Sequence, residues 1–123
     1  MTAEANSPEK IEDALIELAV EGWRFSRVFA RVLEKLDAGQ ATRFESQLRY
    51  FRTKIDQALA AAQLNIVNVE GQAFDPGIAA TALNIGDFTP EDRLLVDHMI
   101  EPIIVSPEGL KKTGTVMLRK VSA

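Results

Sequence analysis

The chain has 123 residues, and with 46% hydrophobic and 26% charged side chains it has the make-up of an ordinary folded domain. A formal net charge of −4 favours neither a nucleic-acid binder nor attachment to an anionic membrane surface. No apolar run approaches the roughly 20 residues needed to span a bilayer, and the absence of cysteine removes disulfides, thiolate metal sites and cysteine nucleophiles together.

The single histidine, His98, would have to serve any catalytic triad or histidine metal site. No glycine-rich phosphate loop and no EF-hand-like loop is present, so the composition gives little support to catalysis, and no cofactor is expected. The opening MTAEANSPEK lacks a charged-then-apolar signal pattern, which makes the cytoplasm the expected location.

The first helix opens at Ser7-Pro8-Glu9, a hydroxyl cap followed by proline at the first helical position and an acid at the positive helix end. It is expected to run to about Asp37, with Gly39 as a left-handed C-terminal cap. Ile11, Leu15, Leu18, Gly22, Phe25, Phe29, Val32 and Leu36 recur at alternating spacings of four and three, a heptad seam. Gln40 to Thr42 reads as a short connection, so a second helix should return antiparallel. Its stripe is Phe44, Leu48, Phe51, Ile55, Ala58 or Leu59, and then Ala62.

A lone hairpin would leave several of these aromatics in water, each worth about 1.5–3 kcal/mol when buried. Two hairpins forming a four-helix bundle would cover them, with Leu18, Phe25, Phe29, Phe44, Leu48, Phe51 and Ile55 at the dimer interface. The alternative is that the C-terminal half folds back over the hairpin. The fold class expected is therefore α+β: a helical hairpin over residues 7–64 that dimerises into a bundle, then a small β-rich domain over 65–123.

After Leu64 the apolar period shortens. Ile66, Val67 and Val69 favour a strand, broken at Gly71. Asp75-Pro76 repeats the cap-plus-proline pattern and predicts a short helix over GIAATALNI, closed by Gly86. In LLVDHMIEPIIV, Leu94, Val96, His98 and Ile100 should lie on one strand face and Leu95, Asp97, Met99 and Glu101 on the other, with Pro102 at an edge or kink. Ser106-Pro107-Glu108-Gly109 reads as a type I turn into the last strand, where Gly114 permits a bulge or close backbone approach.

This order resembles the GrpE family, the nucleotide exchange factors of DnaK-type chaperones, over residues 11 to 121. The family's apolar strand, break and Phe-or-Leu-Asp-Pro element correspond to Ile66-Val67, Gly71 and Phe74-Asp75-Pro76. Its V-x-x-x-L-x-x-G-Y strand aligns with Val96 through Ile104, and its R-P-A-x-V-x-V strand aligns without a gap with Lys112 through Leu118. The chain is similar to a short member without the long helical stalk.

The resemblance implies a homodimeric co-chaperone of the protein-folding and stress-response machinery, without bond chemistry of its own. Its β-domain would bind the ATPase domain of a DnaK-type chaperone and promote ADP release. It implies a partner-binding surface at Met99, Ile104, Lys112, Val116 and Leu118. The family's Gly-Tyr falls on Ile103-Ile104 and a chaperone-contacting arginine on Gly109. Those substitutions leave open a dimeric interaction or scaffold protein that keeps the architecture without the exchange activity.

Overall fold

The computed structural model describes residues 7–121. The chain divides into two compact units, one ending at Asn65 and one beginning at Ile66.

The first unit is a helical hairpin. Helix α1 spans Pro8–Leu33; the Ser7 hydroxyl accepts a hydrogen bond from the Lys10 amide at 3.3 Å, Pro8 stands in the first turn, and Glu9 faces the positive end. The helix stops four residues before the expected end. Lys35 and Leu36 donate to the carbonyls of Val32 and Leu33, tightening the last turn. Asp37 then caps helix α2, Ala38–Ala61, its carboxylate accepting from the Gln40 amide at 3.0 Å. The expected cap at Gly39 and loop at Gln40–Thr42 are thus corrected, since both belong to the first turns of α2. The Asp-x-x-Gln spacing places an acceptor where orphan amides need one, and that outweighs the glycine inside it.

Helix α2 ends in a Schellman arrangement. Leu64 donates to the Leu59 carbonyl and Gln63 to the Ala60 carbonyl, each at 2.9 Å. Gln63 takes the left-handed conformation this requires, with φ of 61°. Leu59 and Leu64 are both buried, the apolar contact that accompanies the motif.

The second unit holds two three-stranded sheets. Its strands are β1 (Asn65–Val67), β2 (Ala80–Ala82), β3 (Leu94–Glu101), β4 (Ile103–Ser106), β5 (Gly109–Lys112) and β6 (Gly114–Lys120). One sheet runs β1-β4-β5 and the other β2-β6-β3. Both depend on one long bent hairpin: β3 pairs antiparallel with β6, and β4 with β5. The arms change sheet at Pro102 and Thr113. A Cβ on Gly114 would stand 3.0 Å from the Glu101 carbonyl and 2.7 Å from Ile103 Cγ1. The corner therefore closes only because that position has no side chain.

Among the expectations that fail in this unit is the Ser106–Gly109 turn, which leads into β5 and not into the last strand. The stretch from Gly77 to Ile85 is not a helix. Ala80–Ala82 is a strand running parallel to β6, and only Ile85–Asp87 forms a turn of 3₁₀ helix, with Gly86 inside it. Alanine-rich composition favours a helix, but pairing to a strand already in place overrides it. The alternating faces expected along β3 are also broken. Bulges between Val96 and His98 and between Met99 and Glu101 reset the register, so Val96 and Met99 are buried together while His98 is exposed.

Segment 70–74 covers the outer edge of β3. Gly71 and Phe74 donate to the Val96 and Leu94 carbonyls, Val96 donates to the Gln72 carbonyl, and the Glu70 carboxylate accepts from the Met99 amide at 2.8 Å. The edge is thereby closed to further pairing.

Candidate interaction surfaces

The heptad seam read from α1 is two stripes in the folded hairpin. The stripe that packs against α2 has small residues at its middle, and Ile16, Val20 and Leu33 are also buried on this helix. Ala19 and Ser26 are buried, and a Cβ on the intervening Gly22 would stand 2.5 Å from Ile55 Cδ1 and 3.5 Å from the Phe51 ring. Small side chains let the two helix axes approach closely. The Ser26 hydroxyl is satisfied within the helix, donating to the Trp23 carbonyl at 2.7 Å. Leu33 and Leu48 close the same interior.

The second stripe repeats every seventh residue: Ile11, Leu18, Phe25 and Val32. All four are exposed, Leu18 by 70% and Phe25 by 59%. Helix α2 adds Phe44 and Phe51, again seven apart and exposed. Phe25 lies edge-on to Phe51 with centroids 6.2 Å apart, stacks on Phe29 at 6.0 Å, and Phe29 meets Phe44 edge-on at 6.4 Å. The aromatic rings form one continuous exposed ridge across both helices. Of the expected dimer-interface residues, Leu18, Phe25, Phe44 and Phe51 are on this ridge, and Phe29 and Ile55 are half-buried beside it. Leu48 is interior to its own hairpin, and its place at an interface is corrected accordingly.

The partner-binding set in the β unit is placed differently from the expectation. Met99, Ile104 and Val116 are fully buried and Leu118 nearly so. They are the core that holds the two sheets closed and present no side chain to a partner. The alternation of apolar residues along β6 was legible; which of its faces looks outward was not. Lys112 alone of the five reaches the surface. Its ammonium lies 3.8 Å from Glu101 and donates to the Thr113 carbonyl at 2.7 Å. His98 lies 3.4 Å from Asp97, which also pairs with Arg119 at 3.4 Å.

Exposed aliphatics of this unit are Val67, Leu83, Ile85 and Leu110. Val67 was read as part of a strand; Leu83, Ile85 and Leu110 were not singled out by sequence reasoning. Leu83 and Ile85 flank Asn84, whose side-chain amide donates to the Leu118 carbonyl and accepts from the Leu118 amide, both at 2.9 Å. That pair of bonds does for β6 what the next strand residue would have done, and a motif of Asn between two aliphatics was the available signal for it.

Among the described residues no group of three or more His, Cys, Asp or Glu could hold a metal ion, and no helix is long and apolar enough to cross a membrane. No family model, no curated protein and no solved structure matches this chain.

Proposed function

We propose that the chain is a GrpE-like co-chaperone of the cytoplasm. In this reading it acts as a homodimer, its β unit binds the ATPase domain of a DnaK-type chaperone, and binding promotes ADP release. The observation that carries the reading is the succession of parts. A helical hairpin with an unsatisfied apolar ridge is followed by a unit of six short strands in two sheets, entered through the Ile66-Val67, Gly71 and Phe74-Asp75-Pro76 sequence.

The mechanism would be mechanical. A protein that binds an open nucleotide cleft more tightly than a closed one shifts the cleft open by the difference in binding free energy. The β unit suits such a wedge because its core closes on itself and its strands are cross-tied. Covering the ridge of Leu18, Phe25, Phe44 and Phe51 with the same ridge of a second copy would form a four-helix bundle.

The test is release of a fluorescent ADP analogue from the DnaK-type ATPase domain of the same organism, with and without this protein. Acceleration at stoichiometric amounts is expected, and an unchanged rate sinks the exchange activity.

A second reading, a dimeric scaffold of the same architecture without exchange, is favoured by a specific observation. Gly109, where the resemblance aligns a contacting arginine, has φ of 128°, a conformation in which a side chain is strained. The arginine's role is therefore not supplied at that position. Under this reading the ADP analogue leaves at its unassisted rate while light scattering still gives a dimer.

A further inference from the structure

We infer that the second copy covering the aromatic ridge docks head to tail: the loop end of one hairpin lies over the free end of the other, aligned by charge. The inference rests on the homodimer of the proposed reading and gives that dimer its orientation.

The hairpin changes sign at one height. Residues 24–54, the loop end, hold eight Lys and Arg against three Asp and Glu, a net charge of +5. Residues 8–23 and 55–64, the free end, hold six Asp and Glu against one Lys, a net charge of −5. The change falls between Glu21 and Arg24 on α1 and between Lys54 and Asp56 on α2. These two points are level, because Gly22 faces the Ile55 side chain and Phe25 meets Phe51 at 6.2 Å. Within one hairpin each half of α1 therefore lies beside the half of α2 that carries the same sign. Charge gathered in this way is complemented by a second copy running in the reverse direction.

The charges border the ridge itself. Glu17, Arg24 and Arg31 directly precede the ridge residues Leu18, Phe25 and Val32, and Glu21 lies one turn before Phe25; all four are exposed. On α2, Arg43 precedes Phe44, and the Lys54 ammonium rests 5.4 Å from the ring centroid of Tyr50, beside Phe51. Lys10, before Ile11, is the one cation in the acidic end. Bundled helices pack about 8–10 Å apart, close to the Debye length of about 8 Å at physiological salt, so flanking charges act across the interface. Loop end on loop end would set +5 against +5. Head to tail sets +5 against −5 twice, with the two-fold axis level with Gly22 and Ile55 and with Leu18 and Phe25 on either side of it. The two chains then leave the bundle at opposite ends.

The experiment uses spin labels on the full chain, which has no cysteine, so one introduced thiol labels one site. Gln40→Cys marks the loop end and Gln57→Cys the level of the sign change; both positions are exposed. At 1.5 Å rise per residue, head-to-tail docking expects about 40 Å between the Gln40→Cys labels of a dimer and under about 20 Å between the Gln57→Cys labels, by double electron–electron resonance. Loop end on loop end puts both pairs under about 20 Å. A charge variant reads the same question by the sign of its effect. Glu17→Lys/Glu21→Lys should weaken the dimer at least fivefold in sedimentation equilibrium at low salt, whereas a loop-on-loop dimer would tighten as its free ends repel less. Circular dichroism checks the fold, and Arg31→Glu/Lys35→Glu, with the same expected loss, replaces that pair if it unfolds. A short Gln40→Cys distance, or an unchanged or tighter dimer for the charge variant, overturns the orientation and leaves the homodimer standing. A folded wild-type monomer overturns the homodimer, and the orientation with it.

Discussion

The two units of this protein differ in how far they cover their largest apolar residues. The β unit buries them: Met99, Ile104 and Val116 have no exposed surface. The hairpin places small residues, Ala19, Gly22 and Ser26, where its helices meet, and leaves Leu18, Phe25, Phe44 and Phe51 outside. A sheet pair can close a core within about 55 residues because its two inner faces cover each other. Two helices have only one mutual line of contact, so a wide apolar stripe on each outruns what the other can cover. The difference separates a unit that covers its core from one that leaves an apolar stripe exposed.

The largest effect expected from that contrast is on assembly. Replacing both Phe25 and Phe51 by glutamate should leave the helical circular dichroism intact while light scattering falls from about twice the 13.6 kDa chain mass to once that mass. A folded wild-type monomer would break the contrast outright. Next comes the core of the β unit. Ile104→Ala should cost about 2–5 kcal/mol in urea unfolding, because a fully buried side chain leaves a cavity. Leu18→Ala, measured at a protein concentration where the chain is monomeric, should cost under about 0.5 kcal/mol, as expected for a surface position.

A pair of glycines sharpens the same point at smaller magnitude. Gly114→Ala must push a Cβ against the Glu101 carbonyl and the Ile103 amide, both backbone, and should lose about 1–3 kcal/mol. Gly22→Ala meets only the far end of the Ile55 side chain and gains about 1 kcal/mol of helix propensity, so its net change should stay within about 1 kcal/mol of zero. Equal losses for the two would mean the hairpin interior is as rigid as the strand corner. Gln63→Gly should add up to about 1 kcal/mol by relieving the left-handed backbone that ends α2, read as a rise in the unfolding midpoint.

What could be read in advance follows the same division. The start of α1 was legible because Ser7, Pro8 and Glu9 act through local chemistry. The end of α2 was not, because Gln63 adopts a conformation that glycine usually signals. Asp37 was passed over as a cap because Gly39 sits two residues away and suggested a stop. In the β unit the strands after Leu94 were legible from composition, but the bulges of β3 shift the phase, and phase decides which side chains face out. Met99, Ile104, Val116 and Leu118 were expected at a partner surface on the resemblance, which carries no burial of its own, and they lie in the core. Leu83 and Ile85 went unnoticed for the converse reason: a strand of Ala80-Thr81-Ala82 has no pattern of its own, and its pairing with β6 gives the residues that follow it a position.

The smallest prediction asks whether closure of the β unit has an electrostatic part. Asp92 accepts from the Thr89 amide at 2.9 Å and lies 3.3 Å from the Lys120 ammonium at the end of β6. The hydrogen bond from the Thr89 backbone brings its carboxyl below the usual aspartate value; desolvation, the next cause in size, opposes it, and Lys120 adds to the lowering. A depressed value means the unfolded chain takes up this proton more readily than the folded one. The stabilisation is therefore complete above the ordinary carboxylate range, near pH 4, and is lost as the pH falls through the lower value of the folded state. Asp92→Asn keeps an acceptor for the Thr89 amide but cannot ionise. Its unfolding midpoint should lie slightly below wild type at pH 7 and converge on it at acid pH. A difference between the two proteins that stays constant across that range would mean that Asp92 acts as a turn acceptor alone, and that the strand ends are closed by backbone pairing such as the Val121 amide to the Arg93 carbonyl at 2.8 Å.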